Sequence, residues 1–143
     1  MSYSNWFQTH GEKHACIMQR LTQLSDDEVI EYFRFENMVE HEVDFCPLYA
    51  QNKKCHEIEN LNCYLCACPY FRFDDEGLEE VEGKVRYSTC YINAKNAMQY
   101  VSDDAIHLEC SNCHIPHSEA YIKKHFSRDW FAMMQECKPK NLL

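Results

Sequence analysis

The 143-residue sequence predicts an α plus irregular fold, open to a small α+β variant. N-terminal helices and a C-terminal helix pack around a metal-organised centre rich in cysteine and histidine. Three observations carry this expectation. Apolar residues recur at helical spacing at both ends of the chain. Eight of the ten cysteines and four of the eight histidines fall between residues 45 and 117. Glycine occurs only three times, which excludes a repeat-rich or low-complexity chain. Tight turns must therefore rely on Asn, Asp and metal ligation. The length suits one domain, residues 1–143, able to bury its own core.

The lead-in, residues 1–44, reads as two helices. Ile17, Leu21 and Leu24 lie on one side of the first. Ser25-Asp26-Asp27-Glu28 has the form of a capping box, with acids over the positive end of the helix dipole. Val29, Ile30, Phe33 and Met38 form the expected buried side of the second helix. Cys16 is expected to pack as a small core residue, and His10 and His14, four residues apart, as surface histidines.

The middle, residues 45–117, holds the cysteine-rich core. Within it, Asp74–Gly83 is acidic, contains two of the three glycines and reads as an exposed loop. Ser88–Val101 reads as helical, with Ile92, Ala94, Ala97, Met98 and Val101 as core contacts. Residues 118–137 read as one helix, capped by Ser118 and stopped by Pro139. Its buried stripe is Ile122, Phe126, Trp130 and Met133/Met134. Cys137 at its end is expected to be structural.

Composition narrows the function. A formal net charge of −9 disfavours nucleic acid, whose binding rests on Lys and Arg neutralising phosphates, and anionic membrane surfaces likewise. No apolar run approaches the ~20 residues of a membrane span. The N-terminus has no secretory pattern, so the expected address is cytoplasmic, where thiols stay reduced and clustered cysteines point to metal or redox chemistry. No P-loop, dinucleotide fingerprint, nucleophile elbow or HExxH motif occurs, so no catalytic residue is assigned and the reading leans away from an enzyme.

The spacings carry the chemistry. Cys46 is followed by Cys55-His56, then by Cys63, Cys66 and Cys68, and after a gap by Cys110, Cys113 and His117. A C-x2-C turns two sulfurs toward one ion, and nearby Cys or His ligands close the tetrahedron. Without His56, these residues make eight ligands, enough for two four-coordinate ions. In an extended segment, residues i and i+2 point to opposite sides, so Cys66 and Cys68 are expected to serve different centres. His56 and Cys90 are further candidates, Cys90 being either a ligand or a small buried residue. Cys110–His114 also matches the C-x-x-C-H signature of c-type haem, but that attachment belongs outside the cytosol.

Phe45-Cys46-Pro47, Cys55-His56, Asn62-Cys63-Tyr64-Leu65-Cys66-Ala67-Cys68-Pro69 and Cys110-Ser111-Asn112-Cys113-His114-Ile115-Pro116-His117 together resemble the cysteine-rich small domain family. The resemblance spans residues 45–117. It implies metal ligation by Cys46, Cys55, Cys63, Cys66, Cys68, Cys110, Cys113 and His117, with His56 a possible extra. Members stand alone or are appended to cobalamin-biosynthesis enzymes, notably of the threonine-phosphate decarboxylase type. The Cys46–Cys55 spacing is longer than the family's usual one.

Zinc, as two Zn2+ ions in zinc-knuckle-like sites, suits the mixed donor set. A [4Fe-4S] cluster is the alternative, although the spacing lacks the ferredoxin run. Two functions follow. One is a metal-stabilised binding or accessory module whose exposed aromatics (Tyr49, Tyr64, Tyr70, Phe71) meet a protein partner. The other is a small redox or electron-transfer protein linked by family analogy to corrinoid metabolism.

Overall fold

The lead-in forms three helices rather than two in the computed structural model, which describes residues 2–139. Helix α1 spans Tyr3–Arg20 and buries Phe7, His10, His14, Ile17 and Met18. Helix α2, Asp26–Tyr32, opens on the expected capping box: Ser25 Oγ accepts from Glu28 N while the Glu28 carboxylate accepts from Ser25 N. The helix then stops because Arg34 turns to extended backbone. Phe35 N donates to Leu61 O at 3.0 Å and Cys63 N to Phe33 O at 2.8 Å. These cross-chain bonds split the expected second helix, and α3 resumes at Phe35–His41. Val29, Ile30, Phe33 and Met38 are all buried.

Two side-chain expectations in α1 are overturned. Cys16 is exposed, because it faces away from the stripe of Ile17 and Leu21. His10 and His14 are buried, at 4% and 0% exposure, stacked against Trp6 and Phe33 respectively.

The middle of the chain builds short strands. β1 (Phe71–Phe73) pairs antiparallel with β4 (Ser88–Cys90), bringing Phe71 opposite Cys90. A four-stranded sheet has the order β2 (Glu79–Val81), β3 (Lys84–Arg86), β6 (Ala105–Glu109), β5 (Met98–Val101), with β3 and β6 parallel. The acidic loop is thus partly a hairpin. Its turn places Glu82 and Gly83 at φ 51° and 81°, as tight two-residue hairpin turns require. The helix expected over 88–101 is absent: strand pairing claims both its ends, and Ile92, Met98 and Val101 are exposed instead of packed.

The C-terminal helix is broken as well. Helix α4 covers Glu119–His125 and α5 only Trp130–Met133, followed by a 3-10 turn at Gln135–Cys137. Phe126 is extended, and the next residues bond elsewhere. Ser127 O accepts from Tyr64 Oη at 2.6 Å, and Arg128 donates to Asp26 and to Leu24 O. Asp129 then caps α5. Ile122, Trp130, Met134 and Cys137 are nevertheless buried. Gly11 of α1 lets α5 approach, since a Cβ there would lie 2.2 Å from the Phe131 ring.

The hydrophobic core joins α1, α2, α3, Leu61–Leu65 and the C-terminal elements. The sheet region contributes little. Between residues 66 and 112, only Ser88 and Ile106 are buried. Helices packed beside separate small sheets define an α+β architecture. Among the described residues no helix is long and apolar enough to cross a membrane.

Candidate metal centre

Six cysteines, Cys55, Cys66, Cys68, Cys90, Cys110 and Cys113, line one cavity beside the sheets. The C-x2-C turns are formed by backbone bonds, Cys66 N to Cys63 O at 3.3 Å and Cys113 N to Cys110 O at 3.0 Å. Between the first turn and Cys68 the chain is not extended, as expected from its C-x-C spacing, but sharply turned. Ala67 and Cys68 sit at φ 92° and 57°, a left-handed region that L-residues other than Asn and Asp rarely enter. Cys90 arrives through its pairing with Phe71, and its sulfur accepts a hydrogen bond from Ala94 N at 3.4 Å.

The charges that each thiol meets divide them into two sets. Cys66 is raised first by burial, then by Cys63, Cys55 and Cys46. Burial, opposed by the neighbouring Tyr49 hydroxyl and reinforced by Cys55 and Cys46, pushes Cys63 up to about 12. Cys55 stands at the rim; partial burial of its sulfur and the Cys46 charge bring it to about 11. Cys68 belongs elsewhere. Burial, and then Cys90, Cys110 and Cys113, push it up to about 12 against a backbone N–H at Tyr70. Cys110 is raised to about 11 by burial, Cys113 and Cys90. These neighbours group Cys46 with Cys55, Cys63 and Cys66, and Cys90 with Cys68, Cys110 and Cys113, but among the described residues neither group brings three sulfurs within 4.8 Å of one another. Cys55, Cys63, Cys66, Cys68 and Cys110 are held by these effects as thiols at neutral pH, so a metal ion must displace their protons to bind them.

Two imidazoles adjoin the first set. His117, buried, has Nδ1 2.8 Å from Asn62 O and Nε2 3.5 Å from Cys55 Sγ. Burial lowers it to about 4, against the Asn62 bond, so it is neutral. His56 has Nε2 3.0 Å from Cys110 O and Nδ1 3.1 Å from Cys55 Sγ. The ligand atoms of Cys55, His56 and His117 all lie within 4.8 Å of one another.

The surrounding scaffold holds this arrangement. Asn62, fully buried, donates through Nδ2 to Ile30 O at 2.7 Å and to Glu119, and accepts from Tyr64 N through Oδ1 at 2.9 Å. Arg34 pairs with the same Glu119 at 2.6 Å. Trp130 Nε1 donates to Cys66 O at 3.1 Å. Sequence reasoning left Asn62 without a role; its signal is a polar residue placed directly before a C-x2-C.

The aromatics expected to meet a partner are repositioned. Tyr49 and Tyr64 are buried, at 4% and 0% exposure, because they fill the core beneath the turns. Tyr70 accepts a hydrogen bond from Tyr121 at 2.6 Å, and Phe71 is half-buried in its strand.

No family model matches this chain, and neither does any curated protein or solved structure.

Proposed function

We propose that the protein binds zinc at two thiolate centres and serves as a metal-stabilised accessory module. The first centre comprises Cys46, Cys55, Cys63 and Cys66, with His56 and His117 beside it. The second comprises Cys68, Cys90, Cys110 and Cys113. One observation carries the reading: the two small sheets lack an apolar core of their own, with only Ser88 and Ile106 buried between residues 66 and 112, while Cys68, Cys90, Cys110 and Cys113 line one cavity beside them. A structural zinc ion contributes on the order of 10–16 kcal/mol to folding, which removes the need for such a core. Zinc suits closed four-thiolate sites and performs no redox chemistry. Relative to the eight ligands expected from sequence, the two centres add Cys90 and leave His117 beside the first. As an accessory module it would meet a protein partner, and Tyr91, Met98, Tyr100 and Val101 are exposed apolar side chains available to one.

An iron–sulfur cluster is the second reading. It is favoured by a cavity of about 300 Å3 walled by Cys55, Cys66, Cys68, Cys90, Cys110 and Cys113.

Anaerobic purification followed by metal analysis and a visible spectrum separates the two. Zinc reads as at least two ions per chain and a colourless protein, and Cys90→Ser loses about one of them while Cys16→Ser loses none. Iron, sulfide and a broad visible absorption would overturn the zinc reading in favour of the cluster. A metal-free chain that folds normally would overturn both.

A further inference from the structure

The first group and its two imidazoles offer six donors, two more than a tetrahedral ion takes, and among the described residues only Cys55, His56 and His117 bring their ligand atoms within 4.8 Å of one another. The two imidazoles are not spare. Carbonyl oxygens only accept, so the bonds to Asn62 O and Cys110 O assign the ring protons to His117 Nδ1 and His56 Nε2. Each ring then directs a lone pair at Cys55 Sγ. A single thiol proton satisfies one of them. A divalent cation, with Cys55 as thiolate, satisfies both rings and the sulfur together. With metal–nitrogen bonds of ~2.0–2.1 Å and metal–sulfur bonds of ~2.3 Å, the N···S edge of a tetrahedron is about 3.5 Å. The observed separations of 3.1 and 3.5 Å are close to that edge.

Among the described residues no fourth Cys, His, Asp or Glu ligand atom joins these three within 4.8 Å. The space beyond them is the cavity of about 300 Å3, which Cys55, His56 and His117 line and Cys46 and Cys63 do not reach. Its other walls include the sulfurs of Cys66 and of the second centre, Cys68, Cys90, Cys110 and Cys113, and apolar side chains such as Phe71 and Leu108. Three protein ligands with an open fourth position facing a cavity is the pattern of a zinc ion that takes an exogenous ligand, not of a closed structural one.

We propose that Cys55, His56 and His117 hold a divalent ion of their own, sharing the Cys55 thiolate with the ion of Cys46, Cys63 and Cys66, and that its open position binds a small apolar thiol from the cavity. The proposal rests on the metal-binding reading. Three arguments select the ligand. A sulfur- and nitrogen-ligated ion favours a soft donor atom. Walls of sulfur and apolar carbon offer a carboxylate or phosphate only weak hydrogen bonds, so its desolvation would go largely uncompensated. A thiol also approaches as a neutral molecule, which matters for a chain of formal charge −9, and ionises only at the metal. In that step the S–H bond breaks, the metal–sulfur bond forms, a metal-bound water leaves and the proton passes to solvent. No electron is transferred.

The test uses the full chain reconstituted anaerobically with cobalt(II), which reports thiolate ligation by its absorption. The wild type is expected to hold about three cobalt ions, and the His56→Ala/His117→Ala variant about two. Titration with 1-propanethiol is expected to give a saturable rise in thiolate-to-cobalt charge-transfer absorption in the wild type, absent with 1-propanol and absent in the double variant. His117 also braces Asn62, so His56→Ala alone, checked for native circular dichroism, is the second variant and should lose the same ion and response. A wild type with cobalt bound but indifferent to propanethiol would overturn the open site and leave the metal-binding reading standing. Unchanged cobalt content in His56→Ala would do the same, reducing the imidazoles to braces. Loss of cobalt to the thiol, measured after gel filtration, would also count against the proposal. A wild type that takes up no cobalt would remove the metal-binding reading itself.

Discussion

At the scale of single residues, the buried histidines of α1 are the clearest departure from what sequence spacing suggests, and they set a pH dependence. Burial, then Lys13, lowers His10 to about 4; burial, then His10, lowers His14 to about 3. An unfolded histidine titrates near ~6.5. As pH falls below that value the unfolded chain takes up protons that the folded chain refuses. Stability present above pH ~6.5 is therefore lost progressively toward pH ~4, at about 2 kcal/mol per histidine by pH ~5. Among the described residues His10 Nε2 has no hydrogen-bond partner in its cage of Trp6, Phe45 and Trp130, so His10→Phe should remove part of this acid sensitivity. Urea titrations at pH 7 and pH 5 measure it; an unchanged difference between the two pH values would refute the assignment. The candidate site was legible at this scale only in part. Spacing alone marked seven of the eight thiols, because Cys-x2-Cys turns are local. Cys90 was undecided because what brings it in is its pairing with Phe71, a contact that no local pattern encodes.

At the scale of elements, the same division between local and distant forces decides which helices could be read. The capping box at Ser25 is written in four consecutive residues and forms as expected. Helix α2 has only seven residues, too few to be stable by propensity alone, so its cap carries weight. Ser25→Ala should cost about 1 kcal/mol, read as a lower denaturation midpoint with an unchanged slope; no shift would mean that the contacts of Val29 and Ile30 hold the helix unaided. Residues 118–137 show the opposite case. Their apolar periodicity is real and their buried residues were mostly foreseen. The break at 126–129 comes from bonds to Tyr64, Asp26 and Leu24, some 60 to 100 residues away. The strands at 88–90 and 98–101 were equally hidden, since three- and four-residue strands carry too little alternation to outweigh a helical pattern.

At the scale of the whole molecule, two kinds of cohesion sit side by side, and they should separate when metal is withdrawn. Helices α1–α3, the Leu61–Leu65 turn and the C-terminal elements share one apolar core containing Phe7, Phe33, Tyr64 and Trp130. The sheets over residues 71–109 have almost none, and on the proposed reading their cohesion is the second centre. Loss of ~10–16 kcal/mol per zinc site is comparable to the whole ~5–15 kcal/mol net stability of a typical domain. A region without its own core cannot survive that loss, whereas one with a core can. Chelation under reducing conditions should therefore release fast hydrogen exchange across β3, β4 and β6 while amides of α1 near Phe7 and His14 remain protected. Peptide-resolved exchange by mass spectrometry measures both in one experiment. Uniform exchange along the chain would mean that the helical core also depends on metal, through Cys63 and Cys66 at its edge. Unchanged protection in the sheets would mean that strand pairing alone sustains them, and the structural role assigned to the second centre would fall.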